Sequence, residues 1–411
     1  MALRARTPLL LAALAGAVAL LLPGAVEARV LLSLDDFGAV GDGIANDTQI
    51  SGNIIAPEDP EEWSDGDQGR WFHFSGVGDL SLSGGGIVDG RGQQWWAGSC
   101  DDENCTKYRP YEVAPMALHF EDCRDVSVKG ITVQNSQRQH LVFTRCHDVE
   151  ANYLRVTSPE YSPGTVGVLV VSSTDVHIKH DLFSVGGDCV SIVGNSSDIR
   201  LRAISCGPAS ASAECFIIFS SIVFVSIGGL GENQSNDMIH KIKMDTMLLS
   251  NTKNGLRIKT YENGCGYARK VKFAHITMRN VANPIVIDQH YYSASNSNRG
   301  TPCGTPSASA VAVEKIKYID ITGTSATERA VTFACSDAMP CRRLYLDGVN
   351  LKTVGGGSTS AYCYQAFGKH VGDVLPESCL GKEKEDFLQL QAPTAAGTPQ
   401  GDTEDEEDDD W

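Results

Sequence analysis

A short pattern of apolar and polar positions recurs along most of the chain after residue 76. Each copy has an apolar, a polar and a second apolar residue, followed by a short gap and one or two further apolar positions. A period of two is typical of a β-strand with one buried face, and the gaps are typical of polar turns between strands. The copies are Leu80/Leu82/Ile87, Val126/Val128/Ile131/Val133, Val149/Ala151/Leu154/Val156, Val176/Ile178/Leu182, Ile199/Leu201/Ile204, Ile242/Met244/Met247, Val271/Phe273/Ile276/Met278, Ile316/Tyr318/Ile321 and Leu344/Leu346/Val349/Leu351.

The spacing of these copies predicts how the strands are arranged. From Val126 to Leu344 the first positions lie 23, 27, 23, 43, 29, 45 and 28 residues apart. Repeats of this size with polar turns are typical of a parallel β-helix, in which each strand pairs with the equivalent strand one turn away. An antiparallel sandwich is the alternative, and the regular unit without hairpin turns argues against it. We therefore expect one all-β domain over residues 29–385.

A second set of strands lies between the copies. In a coil these segments align on one side, so that strand ends distant in sequence come within about 5 Å of each other per turn. That geometry gathers side chains from several turns into one site. The segments are residues 141–146, 168–172, 189–193, 256–259, 284–288 and 331–335.

The two ends of the chain have a different composition from this middle part. Arg4 and Arg6 precede an apolar run at residues 8–22, a pattern that predicts a secretory signal peptide over residues 1–28. A retained membrane anchor is the alternative, although the run is short for a membrane span. We expect residues 386–411 to be a disordered acidic tail, because a run of like charge cannot bury apolar area.

Charge and cysteine content indicate the class and compartment of the protein. The 411 residues carry a formal net charge of −17, which makes nucleic acid an unexpected partner. Secretion permits disulfides among the 13 cysteines, whose odd number leaves at least one thiol unpaired. Four Asn-x-Ser/Thr sequons agree with secretion, at Asn46, Asn104, Asn195 and Asn233.

Four short segments between residues 162 and 259 hold the candidate chemistry. They are residues 162–167, 186–192, 206–208 continuing at 226–228, and 257–259. With the glycine-rich segments 37–43 and 85–92, they resemble the polygalacturonases of glycoside hydrolase family 28, particularly the secreted plant forms. The resemblance covers most of the chain after the signal. It implies a right-handed parallel β-helix that hydrolyses α-1,4 galacturonosyl links of pectin with inversion.

The resemblance also implies roles for single residues. Inversion needs a protonated carboxyl for the leaving oxygen and a carboxylate that activates water on the opposite face. Asp188 matches one water-activating aspartate of the family. Arg257 and Lys259 match the cations that bind the galacturonate carboxylate, for which Arg offers a fixed fork of donors. Tyr291 or Tyr292 matches a tyrosine that contacts substrate.

Other catalytic positions of the family are not kept. Val166 stands where the family has its other water-activating aspartate, and Gly187 stands where it has the general acid. The family's Gly-His-Gly segment is replaced by residues 209–225, which contain no histidine. A family segment holding a helix and several strands is also missing after Gln49. We expect weak or no activity.

Each retained residue also has a purely structural interpretation. Asp188 would cap a turn, Arg257 and Lys259 would be solvated charges at a strand edge, and Tyr291 would pack at the rim. No metal or cofactor is predicted, because four histidines in the predicted core strands lack ligand spacing. Those histidines are His177, His180, His240 and His275.

The resemblance further implies three disulfides. It pairs Cys189 with Cys206, Cys335 with Cys341, and Cys363 with Cys379. Cys215, inside the insertion, is the candidate odd thiol.

Three functions remain open for this chain. The first function is a secreted pectin-cleaving glycosidase of the cell wall, a monomer with no membrane partner. The second is a non-catalytic galacturonan-binding pseudoenzyme. The third is the inactive product of a mis-spliced or decaying gene.

Overall fold

A computed structural model describes residues 46–63, 69–96, 114–162, 164–207, 225–291 and 310–382. These residues form 27 strands and a few single-turn helices, which are Pro60–Glu62, Gln93–Trp96 and Glu232–Gln234. The predicted signal peptide, acidic tail and Cys215 lie outside the described residues, as does most of the insertion. No helix in the described part of the chain is long and apolar enough to cross a membrane.

Seventeen strands form one continuous sheet, called sheet A. They are β1 (Asn46–Ile50), β2 (Asn53–Ile55), β4 (Gly78–Gly84), β5 (Ile87–Asp89), β7 (Arg124–Lys129), β8 (Thr132–Gln134), β10 (His147–Asn152), β11 (Arg155–Thr157), β13 (Thr174–Lys179), β14 (Leu182–Ser184), β16 (Ser197–Cys206), β18 (Asn236–Ser250), β20 (Cys265–Val281), β22 (Ala312–Ser325), β24 (Cys341–Asp347), β25 (Asn350–Thr353) and β27 (Ala366–Val371).

The other ten strands form sheet B, in which neighbours along the chain are neighbours in the sheet. In order they are β3 (Arg70–Ser75), β6 (Met116–Glu121), β9 (Gln139–Thr144), β12 (Val166–Val171), β15 (Val190–Val193), β17 (Val225–Leu230), β19 (Asn254–Tyr261), β21 (Asn283–Tyr291), β23 (Arg329–Ala334) and β26 (Ser360–Tyr364). Val225 already belongs to β17 and is fully buried, so the inserted segment ends by residue 224.

Every strand pairing is parallel and joins equivalent strands of successive turns. Val149 of β10, for example, lies between Val126 of β7 and Val176 of β13, in the same register as the sequence pattern. The prediction of a right-handed parallel β-helix is confirmed, and the antiparallel sandwich is wrong. The reason is that no turn of such a coil buries its apolar face alone, so successive turns stack into one core.

Most apolar positions of the repeated pattern fill this core. Only Ile87 and Leu182 among the predicted core residues face outward, and the buried residues there are their successors, Val88 and Phe183. Each pair lies in a three-residue strand with two adjacent apolar residues. The pattern alone does not tell which of the two points inward, whereas the register with neighbouring turns does.

Aromatic rings stack from one turn to the next inside the coil. Phe120 lies between Phe74 and Phe143, with ring centroids 4.8 and 5.1 Å apart. These distances match the spacing between paired strands, so the stack adds aromatic contact to the buried apolar area. The implied disulfides are present as Cys189–Cys206, Cys335–Cys341 and Cys363–Cys379.

One buried carboxyl lies between β13 and β14. Asp181 is 3% exposed; its Oδ1 accepts a hydrogen bond from the Leu154 N–H at 2.6 Å, and its Oδ2 has no hydrogen-bond partner. Burial raises the pKa of Asp181 to about 7. The folded state therefore binds this proton more tightly than the unfolded state, and the free energy of unfolding falls as pH rises from about 4 through 7.

We expect Asp181→Asn to stabilise the protein at pH 8 and to change little at pH 4. An uncharged amide removes the cost of ionising a buried carboxyl, which we put at about 1–4 kcal/mol at pH 8. Thermal melting at both pH values measures the effect. Asp148→Asn, at an exposed position of β10, is the matched control and should be neutral at both. Equal stabilisation at pH 4 and pH 8 would contradict this account of Asp181.

Candidate active site on sheet B

The outward face of sheet B carries a row of polar side chains. Ser191 of β15 lies opposite Ser226 of β17, which in turn lies opposite Arg257 of β19. Their immediate neighbours along each strand, such as Ile192 and Ile258, are fully buried, because side chains alternate across a strand. The coil thus places residues from three turns side by side.

A second register position lies two residues further along β17 and β19 and continues onto β21. Lys259 is paired with Gly228 on one side and with Asp288 of β21 on the other. Since residues two apart on a strand share a face, Lys259 and Arg257 project in the same direction. Burial lowers the pKa of Arg257, and the carboxylates of Asp188 and Asp288 act against that shift. Arg257 stays a cation because its ordinary pKa is so high.

Two tyrosine rings hold the cations in place. The Tyr291 ring centroid lies 4.8 Å from the Arg257 guanidinium carbon and 4.1 Å from Lys259 Nζ. Tyr261 contacts Lys259 from another side, with its ring centroid 4.5 Å from Nζ and its hydroxyl oxygen 3.0 Å from Nζ. Cation–π contacts of this kind favour a fixed cation position over a solvated one. The arrangement argues against Tyr291 as simple rim packing.

Asp188 lies two residues before β15, next to the Cys189–Cys206 disulfide. Ser226 Oγ donates a hydrogen bond to Asp188 Oδ2 at 2.6 Å. Burial raises the pKa of Asp188 to about 7, although the Ser226 hydrogen bond and the charges of Arg257 and Lys259 act in the opposite direction. At mildly acidic pH this carboxyl is therefore protonated beside two cations.

The start of β12, which carries Val166, packs against Asp188. The Gly167 N–H donates to the Asp188 carbonyl oxygen at 2.8 Å. Fully buried His140 contacts the same strand start, with Nδ1 2.9 Å from the Val166 carbonyl oxygen and Nε2 2.8 Å from Ser158 Oγ. Burial lowers the pKa of His140 to about 4, so the ring is neutral, and its Nδ1–H donates to Val166.

The backbone at Gly187 leaves no room for a side chain. A Cβ built on Gly187 would lie 2.3 Å from the Thr165 carbonyl oxygen, which is well inside van der Waals contact. Thr165 is itself fixed, because its hydroxyl accepts from the Gly186 N–H at 3.1 Å and donates to the Ser162 carbonyl oxygen at 2.9 Å. An aspartate at position 187 would require this turn to move.

The structure brings together the residues that the sequence predicted. Arg257, Lys259 and Tyr291 are in contact, and the charges of both cations act on Asp188. Tyr292 lies outside the described residues. Three neighbours were missed as members of the site: Ser226, Tyr261 and Asp288. Two of these had a signal: Tyr261 follows Lys259 by two residues on the same strand, and Asp288 lies opposite Lys259 in register. No local pattern indicates Ser226.

The profile of Glycosyl hydrolases family 28 matches residues 43–371 of the chain. A probable polygalacturonase of Arabidopsis thaliana is 38% identical over 82% of this chain and 71% of its own length. The polygalacturonase of Persea americana is 37% identical over 77% of this chain. The alignment spans only 63% of that relative's own length.

Solved structures show the same fold. An endo-xylogalacturonan hydrolase from Aspergillus tubingensis superposes with a TM-score of 0.60 at 18% identity, covering 80% of this chain and 85% of its own. A polygalacturonase from Erwinia carotovora superposes with a TM-score of 0.56, also at 18% identity, covering 79% of this chain and 85% of its own. With a family match over most of the chain, the same coil and these relatives, the chain belongs to glycosyl hydrolases family 28.

Proposed function

We propose that this protein binds polygalacturonate on the outward face of sheet B and cleaves it weakly or not at all. The observation that carries the proposal is the pair Arg257 and Lys259, held by two tyrosine rings beside Asp188. A polyuronate presents one carboxylate per sugar, and charge-assisted hydrogen bonds to Arg and Lys are the strong ones. The pectin class of substrate also fits the family to which the chain belongs.

The geometry supports binding better than hydrolysis. The positions that the family resemblance assigns to the general acid and to one base are Gly187 and Val166, neither of which carries a carboxyl. Inverting hydrolysis needs both an acid and a base on opposite faces of the sugar. Of the three family aspartates in the resemblance, only Asp188 is retained, and it is already engaged by Ser226.

A slow hydrolase is the second candidate, and one observation favours it. The pKa of Asp188 is raised to about 7, as expected of a carboxyl that donates a proton at acidic pH. In that case Asp188 would be the catalytic residue, acting as an acid without a matched base. The rate on polygalacturonate separates this candidate from the first.

The compartment and assembly state belong to the same proposal. We infer a secreted, monomeric protein of the plant cell wall with no membrane partner. Support comes from the predicted signal over residues 1–28, from the disulfides, and from the plant origin of the relatives. Disulfides of this kind persist in oxidising, extracellular compartments.

Binding to polygalacturonate is expected to weaken as pH rises through 7. Above its pKa of about 7, Asp188 becomes a carboxylate beside Arg257 and repels the uronate that Arg257 binds. We expect a roughly tenfold loss of affinity between pH 5 and pH 8. Isothermal calorimetry with size-defined oligogalacturonates at constant ionic strength measures it.

Two controls make this test specific. Asp188→Asn keeps an acceptor for Ser226 but cannot ionise, so its affinity should not change with pH. Fully methyl-esterified oligomers lack the carboxylates, and we expect no binding at either pH. Binding of the esterified oligomers as tight as that of the acid form would overturn the proposed recognition, as would full pH dependence in Asp188→Asn.

A further inference from the structure

Two histidines and a glutamate meet on the outward face of sheet B, near its first strands. His73 of β3 is in register with His119 of β6, and Glu121 follows His119 by two residues on the same face. One potential ligand atom from each of the three side chains lies within 4.8 Å of the others. His73 and His119 are 46 residues apart in the sequence, so only the coil brings them together.

We propose that His73, His119 and Glu121 form a binding site for a divalent transition metal ion of the Zn²⁺ type. Two imidazole nitrogens and one carboxylate oxygen make a ligand set that Zn²⁺ accepts, whereas Ca²⁺ and Mg²⁺ prefer oxygen ligands alone. Zn²⁺ bonds of about 2 Å place ligand atoms roughly 3.3 Å apart. The ligand atoms, which lie up to 4.8 Å apart, must therefore move closer by about 1.5 Å to close around an ion.

The strongest support for the site is the unsatisfied nitrogen of His119. His119 is 5% exposed, and its Nε2 lies 3.0 Å from Thr144 Oγ1. Its Nδ1 is buried and has no hydrogen-bond partner. A buried polar atom without a partner costs about 1–3 kcal/mol, and a metal ion would satisfy it. A contact at the far ring nitrogen that fixes the ring is what metal-binding histidines usually have.

The other two ligands are positioned by their neighbours. The rings of His73 and His119 are stacked with centroids 5.0 Å apart, and His73 Nε2 lies 2.8 Å from Glu121 Oε2. Arg145 holds the other oxygen of Glu121, with Nη2 2.7 Å from Oε1. Glu121 Oε2 is therefore the oxygen directed toward His73, and Oε1 is engaged by Arg145.

The guanidinium of Arg70 competes with a metal ion for two of the proposed ligands, His73 and Glu121. Its Nη1 lies 3.4 Å from Glu121 Oε2 and 3.2 Å from the ring nitrogens of His73. Metal binding requires this guanidinium to move away, and its side chain is 41% exposed, so solvent is available to it. Arg70 therefore sets the affinity of the site without being a ligand.

The site is separate from the candidate active site. β9, β12, β15 and β17 lie between β6 and β19 in sheet B. Five inter-strand steps of about 4.8 Å put roughly 24 Å between His119 and Arg257. The proposed ion thus does not share a residue with the uronate-binding cations.

Titration calorimetry of the full chain, stripped with chelator and given Zn²⁺, tests the proposal. We expect one ion per chain with a dissociation constant in the micromolar range or below. His73→Ala and Glu121→Gln should each weaken binding by about tenfold or more, while Ca²⁺ and Mg²⁺ should not compete. His73 and Glu121 are partly exposed, so these variants are expected to fold, and thermal melting checks that they do.

Two further variants decide between this site and general surface binding. His275→Ala is the matched control, because His275 contacts the carboxylate of Asp245 at 3.4 Å but belongs to no metal-binding group among the described residues. It should bind Zn²⁺ like the parent protein. Arg70→Gln removes the competing cation and should tighten Zn²⁺ binding several-fold, which a merely structural cluster would not do.

The proposal is overturned by any of three results. These are the absence of saturable Zn²⁺ binding by the parent protein, unchanged affinity in His73→Ala, and an equal loss of affinity in His275→Ala. Weaker Zn²⁺ binding in Arg70→Gln than in the parent would also overturn it, because Arg70 would then support the ion and not compete with it.

Discussion

Purified protein is expected to release reducing ends from polygalacturonate about 10⁴-fold more slowly, or slower still, than an active family member at equal concentration. Val166 and Gly187 occupy the positions that the resemblance assigns to a base and to the general acid. Losing one such group typically reduces the rate by about 10²–10⁴-fold, and the resemblance implies the loss of two. A reducing-end assay between pH 4 and pH 7 measures the rate, with Asp188→Asn as the background control.

Restoring single carboxylates tests whether the surrounding structure still fits the reaction. Val166 is only half buried at the start of β12, and His140 contacts its backbone carbonyl, so Val166→Asp should fold normally. It should stay near background because the acid is still missing. Gly187→Asp is expected to lower stability by about 1–3 kcal/mol, since its Cβ would meet the Thr165 carbonyl oxygen.

The outcomes of these variants have clear meanings. A parent rate typical of the family would refute the proposed loss of hydrolysis. It would show that hydrolysis does not need carboxyl groups at positions 166 and 187 in addition to Asp188. A parent rate that is slow, yet falls further in Asp188→Asn, would favour the slow hydrolase over the pure binding protein. Unchanged melting of Gly187→Asp would show that the turn at Thr165 adapts to a side chain.

The double variant Arg257→Ala/Lys259→Ala is expected to lose at least about 100-fold in affinity for oligogalacturonates. Hydrogen bonds to charged groups contribute roughly 1.5–3 kcal/mol each, so removing both cations has a large combined effect. Each cation is held by Tyr291, and truncation leaves that ring without its partner. Calorimetry at pH 5 measures the loss, because Asp188 is then protonated in the parent.

A matched double variant separates specific recognition from net charge. Arg200→Ala/Lys243→Ala removes two cations that lie opposite each other on β16 and β18 of sheet A. The net charge changes by the same amount, but sheet B is untouched, so affinity should stay within about twofold of the parent. An equal loss of affinity in the two double variants would mean that binding depends on the overall charge of the protein, which would contradict the proposed site.

Much of the fold was predictable because burial follows a local rule. In a coil, each apolar position of the repeated unit packs on the same position one turn away, so Val149 and Val176 are visible as core residues in the sequence. The rule fails at Ile87 and Leu182, where two adjacent apolar residues both fit and the register decides.

The candidate site was predictable only in part, for a related reason. Arg257 and Lys259 stand out because they interrupt an apolar strand two residues apart. The hydrogen bond from Ser226 to Asp188 joins residues 38 positions apart, and no local pattern indicates it. The raised pKa of Asp188 likewise depends on its burial in the folded chain.

The sequence by itself determined the repeat, the strand positions and the family, and it indicated that two carboxyl positions of the resemblance are not kept. These follow from residue identity and from periods of two along a strand. Only the tertiary structure decided which side chains are in contact. It placed the tyrosine rings around the cations and His73 next to His119, and it left no space for a side chain at Gly187. Such contacts arise between turns of the coil, and their distances are set by strand register, which no single stretch of sequence contains.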